Sequence, residues 1–267
     1  MTTGVPVFRS SRKQGRGRRA LTPGRISILV IETNPAAETF YARALETMNG
    51  CGVRFLVGGA YAMKTYADIV RETKDLDVFA KAGDYPRLLQ SLADAGHEIE
   101  ITDATWLAKA RDGEYYVDII FASANAVSTV DDTWLEHAYP AEVVGLPVNL
   151  VSVEDQIWQK CFVQDRFRYD GADVAHIFRK WGPKIDWTRL LHRMEAHWEL
   201  LFAHVLQFRY IYPAERSNVP DWLVDELQSR VNAQMAVPVP DEAVCRGPLL
   251  SKTQYLVDIQ KWGYRER

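Results

Sequence analysis

The stretch Val53-Arg54-Phe55-Leu56-Val57-Gly58-Gly59, followed one helix-length later by Arg71-Glu72-Thr73-Lys74-Asp75-Leu76-Asp77, decides the reading of this chain. An apolar strand closes in a double glycine, a helix follows, and the next strand opens with two carboxylates. Strand side chains alternate with a period of two, so Asp75 and Asp77 point to one face. Carboxylates that close repel each other unless a cation sits between them. Magnesium takes oxygen ligands from one or two carboxylates together with phosphate oxygens, which this geometry offers. A lone Asp-x-Asp is usually structural. The glycines add to it, because they let backbone N–H groups approach a phosphate closely at the positive end of the following helix.

A third carboxylate lies further on, in Glu114-Tyr115-Tyr116-Val117-Asp118-Ile119-Ile120-Phe121. A charge in so apolar a run is costly to bury without a partner or a metal, so the position of Asp118 is informative. It supplies the third ligand of a two-metal site and can help to deprotonate an attacking hydroxyl. Asp75, Asp77 and Asp118 are therefore the candidate catalytic and metal-binding residues. Gly58 and Gly59 are the candidate cradle for the β- and γ-phosphates of a nucleoside triphosphate.

Around these residues the pattern predicts a mixed α/β core with helices on a mixed sheet. Asn34 can cap a helix with Pro35 at its first position, running to Gly50. Strands are expected over 53–57, 75–79, 97–102, 106–110 and 114–121, with helices over 60–71 and 85–95 and a hairpin turn at Asp112-Gly113. From about Ser152 helical patterns take over, at 152–168, 170–181, 186–194, 198–211 and 221–234. The expected division is a basic tail and linker over 1–33, the core over 34–150, a helical domain over 151–236 and an irregular tail over 237–267.

At this point the chain resembles the DNA polymerase β-type nucleotidyltransferases. The likeness is nearest to small bacterial members: antibiotic-modifying enzymes, minimal nucleotidyltransferases and abortive-infection toxins. It rests on Gly58-Gly59, the Arg71-x-Thr73-x-Asp75-Leu76-Asp77 strand and the later Asp118. A second patch agrees: Val153-Glu154-Asp155-Gln156-Ile157-Trp158-Gln159-Lys160, then Arg166, Arg168, Asp170 and Asp173. The resemblance implies nucleotide contacts from Arg71, Thr73, Lys160 and Arg166, with Asp170 and Asp173 on one helix face orienting the bases. It also implies two magnesium ions, with manganese as an alternative, and transfer of a nucleoside monophosphate from a nucleoside triphosphate to a hydroxyl acceptor. A small-molecule acceptor leads, ahead of a protein side chain or RNA end and of a catalytically inert nucleotide-binding protein. Two departures stand out. The family more often has Ser where this chain has Gly59, and the 15 residues between Gly59 and Asp75 make a long connection.

Bulk composition excludes other classes. The 267 residues are 47% hydrophobic and 25% charged, an ordinary globular balance, with a net charge of -3. Seven basic and no acidic residues fall between positions 9 and 25. A solvated tail explains them better than a nucleic-acid arm. Cys51, Cys161 and Cys245 have no clip or redox spacing, which suits a reducing cytoplasm. No apolar run reaches the roughly 18–20 residues of a membrane span, and no hydrophobic signal core is visible. Gly-x-Ser-x-Gly, P-loop and two-histidine metal motifs are missing.

Overall fold

The computed structural model describes residues 34–71 and 73–266. The basic N-terminal stretch and the apolar run at 26–31 lie outside them. Helix α1 (Pro35–Gly50) starts where its cap predicts, with the Asn34 side-chain oxygen accepting from the Ala36 amide at 3.0 Å. Its buried residues Ala37, Phe40, Tyr41, Ala44, Leu45 and Met48 recur at spacings of three and four, one apolar face of a helix. Burying Phe40, Leu45 and Met48 is worth about 1.5–3 kcal/mol each.

The core continues through β1 (Leu56–Val57), α2 (Gly59–Ala67), β2 (Asp75–Phe79), α3 (Tyr85–Asp94), β3 (Glu98–Asp103), β4 (Leu107–Asp112) and β5 (Tyr115–Ile120). Then come α4 (Asp132–Glu136) and the hairpin β6 (Tyr139–Val143) and β7 (Leu146–Leu150). The strands form a seven-stranded sheet in the order β3-β4-β5-β2-β1-β7-β6. The pairs β2–β5 and β1–β7 are parallel and the other neighbours antiparallel. The remaining helices are α5 (Val153–Cys161), α6 (Gly171–Trp181), α7 (Trp187–Met194), α8 (Trp198–Ile211) and α9 (Asp221–Met235). Short pieces close the chain: β8 (Val244–Cys245), α10 (Leu256–Gln260) and β9 (Arg265–Glu266).

Two apolar clusters sit on the two faces of the sheet. On one, α1 and α3 cover Leu76, Val78, Val117 and Ile119, all fully buried. On the other, α2 and the helices α5 to α9 pack together around Leu56 and Phe79. Strand alternation therefore turns Asp75, Asp77 and Asp118 toward the helical side.

Several boundaries differ from the sequence reading. The first strand is only Leu56–Val57, because residues 53–55 approach the sheet without pairing in it. The helix expected to reach residue 71 ends at Ala67, where Asp68 takes a left-handed conformation (φ 61°) and its amide returns to the Lys64 carbonyl. The helix expected over 152–168 stops at Cys161, and residues 162–170 form a loop closed by a bridge between Gln164 and Tyr169. The segment after Val237 is less irregular than expected. Among the described residues no helix is long and apolar enough to cross a membrane.

Candidate active site

The parallel pairing of β2 with β5 sets Asp77 directly beside Asp118. Asp75 lies two residues back on the same face. One carboxylate oxygen from each of the three falls within 4.8 Å of the others, and all three side chains are half-buried. Burial first, and then the charges of Asp75 and Asp118, push Asp77 up to about 7, although Arg168 and Lys160 pull it down. No cation among the described residues forms a salt bridge with Asp77. Three converging carboxylates that leave one of their number short of counter-charge are a fitting donor set for a hard divalent cation.

Asp118 is treated differently. Burial raises its pKa, but Lys109 Nζ lies 2.5 Å from Asp118 Oδ1 and offsets part of that rise. Lys109 stands opposite Asp118 in the β4–β5 pair and is itself nearly buried, with its ammonium 4.0 Å from the centre of the Tyr116 ring. The sequence reading missed it. The Asp112-Gly113 signal suggests those two residues as the turn, whereas the loop is Gly113-Glu114, and this shift moves the partner of Lys109 from Tyr116 to Asp118.

Gly58 and Gly59 bring the start of α2 onto β2. The Gly58 amide donates to the Asp77 carbonyl at 2.9 Å. Gly59 has φ +53°, a conformation that side chains disfavour, and a Cβ there would overlap the Asp77 carboxylate. A side chain here would strain the backbone and push the Asp77 carboxylate aside, which weighs against the serine common at this position in the family. The lost hydroxyl follows from how closely the backbone approaches Asp77.

The cationic residues converge from a second direction. Lys160 Nζ is 2.7 Å from both Asp170 Oδ2 and Asp173 Oδ2. Arg71, from the segment before β2, grips Asp173 with both terminal nitrogens. Burial pushes Asp173 up, but Arg71 and Lys160 outweigh it and hold its carboxyl below the ordinary range. Thr73 turns its hydroxyl onto the Asp75 carboxylate, and its carbonyl accepts from Tyr41 Oη at 3.3 Å. Arg166, expected as a nucleotide contact, is exposed and outside the cavity wall, where the loop after α5 presents Arg168 instead.

Glu154 and Asp155, part of the second patch, serve the fold. Asp155 is fully buried, bound by Arg189 Nη2 at 2.5 Å and Arg193 Nε at 2.7 Å, while Glu154 takes Arg189 Nη1 at 3.0 Å. They clamp α5 to α7.

These groups open on one cavity of about 820 Å³, whose wall includes Gly59, Arg71, Thr73, Lys160, Arg168 and the three aspartates. A family model described as "uncharacterised nucleotidyltransferase" matches residues 41–208. The chain belongs to that nucleotidyltransferase family. Its matched segment spans the carboxylates, the double glycine and Lys160 alike. Among solved structures, the lincomycin-bound lincosamide adenylyltransferase LnuA is similar at 16% identity and a TM-score of 0.39, covering 54% of this chain and 96% of that one. The complex of ANT(2")-Ia with adenylyl-2"-tobramycin is similar at 18% identity and a TM-score of 0.40, covering 68% and 98%. An antigenic nucleotidyltransferase-like protein from Paracoccidioides brasiliensis is similar at 13% identity and a TM-score of 0.48, covering 70% and 95%. No curated protein matches this chain.

Proposed function

We propose that this nucleotidyltransferase moves a nucleoside monophosphate from a nucleoside triphosphate to a hydroxyl on a small molecule. The observation that carries the reading is the meeting of Asp75, Asp77 and Asp118, with Asp77 short of counter-charge. In this reading the three carboxylates hold magnesium, or manganese in its place. The metal, when bound, supplies charge neutralisation at the triphosphate and lowers the pKa of an attacking hydroxyl.

The protein's own groups divide the remaining work. The Gly59 backbone and the first turn of α2 receive phosphate oxygens with N–H donors. Lys160, Arg71 and Arg168 offer three cations against the two carboxylates Asp170 and Asp173, leaving positive charge for the leaving pyrophosphate. Asp118 accepts the acceptor's proton, and Lys109 steadies that carboxylate. Arg166 has no part in this scheme. We assign the nucleotidyltransferase core to residues 34–150 and the helical domain to 151–236. The three free cysteines suit a reducing cytoplasm.

A macromolecular acceptor is the second reading. It is favoured by Phe167, 92% exposed at the loop tip between Arg166 and Arg168.

The test is thermal shift with each nucleoside triphosphate, with and without magnesium, on wild type and Asp77→Asn. Saturating ligand should raise the melting temperature by roughly 5–10 °C. The shift should require magnesium and vanish in Asp77→Asn. A shift indifferent to both would remove the metal assignment.

A further inference from the structure

The cavity continues past the carboxylates, and its far half has a different chemistry. In the sheet, β1 and the α2 that follows it lie on one side of β2, while β5 and β4 lie on the other. Phosphate-side groups come from the first direction. On the second, Ile120 and Ala122 follow Asp118 along the same face and join the cavity wall. Trp106 closes that end from the start of β4, its carbonyl accepting from the Phe121 amide at 3.1 Å.

This half is a built wall. The loop after β5 is pinned by a bridge between Ala122 and Thr129, and Asn125 Oδ1 accepts from the Val127 amide at 3.2 Å. The side-chain nitrogen of the same residue, Asn125 Nδ2, donates to the carbonyl of Leu249 in the C-terminal segment at 2.9 Å. That segment is anchored again where Ser251 donates to Asp165, and within it Gly247 packs against the Tyr255 ring with no room for a Cβ. Leu249 and Leu250 are thereby held against the cavity.

The charge here is close to balanced. Outside the three aspartates, this half of the wall carries Lys252 and Glu266, of opposite sign. Asp118 already faces Lys109, and Asp170 and Asp173 are bound to Lys160 and Arg71. Apart from Asp75, Asp77 and Asp118, which the proposed metals occupy, the described wall residues leave no surplus of carboxylates to hold a polycation.

We propose that this half of the cavity is the acceptor subsite, and that it takes an uncharged small molecule with an apolar body. The body lies between Trp106, Ile120 and Leu249, and a hydroxyl projects toward Asp118. The inference rests on the nucleotidyl-transfer reading. The acceptor oxygen forms a bond to the α-phosphorus and its proton passes to Asp118. The bond from the α-phosphorus to the bridging oxygen breaks, and pyrophosphate leaves with that electron pair.

The test uses the full chain with magnesium and α-labelled nucleoside triphosphate. It offers three sets of probes: neutral aryl glycosides and fused-ring polyols, polycationic aminoglycosides, and a short RNA. Neutral members should bind by calorimetry and acquire label. Ala124→Trp, a change at an exposed position on the rim, should weaken them by about tenfold or more. A second variant, Leu249→Arg, should do the same while the unliganded melting temperature of each variant reports that it folds. Label on the aminoglycoside or RNA, or no binding of any neutral member while the nucleotide shift is present, would overturn the subsite. If the nucleotide shift itself is missing, the transfer reading has failed, and the subsite falls with it.

Discussion

Asp77 and Asp155 are carboxylates withdrawn from water on the same side of the molecule, and the fold treats them in opposite ways. Asp155 is fully enclosed and meets Arg189, Arg193 and the Ser152 hydroxyl. Asp77 is half-open and meets two more carboxylates and a glycine backbone. Burying a charge is costly unless it is paired, so the first site stabilises and the second strains. A structural charge is satisfied from within the chain. A charge left unsatisfied beside others of its own sign is poised for something the chain does not contain, which is why perturbed carboxylates mark candidate sites.

The comparison can be broken most sharply by removing one charge from each site. Asp77→Asn should cost roughly a thousandfold or more in transfer rate. The same variant should keep or raise the melting temperature of the metal-free protein, since it relieves repulsion. A fall of several degrees would mean that Asp77 is structural. Asp155→Asn should do the reverse, costing about 3–5 kcal/mol in stability because buried arginines lose their counter-charge. Denaturant titration measures that loss.

Acidity sharpens the contrast. The Asp77 carboxyl is raised to about 7, so the folded chain holds its proton more tightly than the unfolded one. Its contribution to metal-free stability is largest at low pH and declines as pH rises from about 4 to 7. Metal must displace that proton, so affinity should rise about tenfold per unit as pH approaches 7 from below, and then level off. Calorimetric titration with magnesium or manganese at several pH values checks this. Asp173 has the opposite sign: its lowered pKa stabilises above the ordinary carboxylate range, and that contribution is lost as pH falls through it. The smallest expected effect belongs to Lys109→Met. Removing the cation raises Asp118 further, so the ascending limb of the pH–rate profile should move up by about one unit. An unmoved profile would make Lys109 a packing residue only.

Much of the core was legible from local rules. The Asn34-Pro35 cap, the buried stripe of α1 and the alternation of β2 each follow from neighbouring residues, and they place Asp75 and Asp77 on the working face. The hairpin of β6 and β7 was not legible. Each of its strands carries a proline, Pro140 and Pro147, which has no amide for a ladder and argues against a strand, and β6 lies at the sheet edge where a proline is tolerated. The role of Lys109 turned on a shift of the hairpin turn by one residue. Arg166 and Arg168 were indistinguishable while the segment read as a continuous helix. The part played by Leu249 depends on a contact 124 residues away, through Asn125 to a backbone carbonyl, which has no local signature.

The close approach of Gly59 to Asp77 has a consequence for how this protein can change. A saturation library at position 59 should strongly favour glycine, since any Cβ would strain a left-handed backbone and displace a proposed metal-binding carboxylate. The exposed Ala124, on the cavity wall, has no such restriction and is not one of the proposed metal ligands. Variation can therefore accumulate along one rim of the cavity while the other stays fixed, so that what the enzyme modifies is free to drift without disturbing how it modifies it.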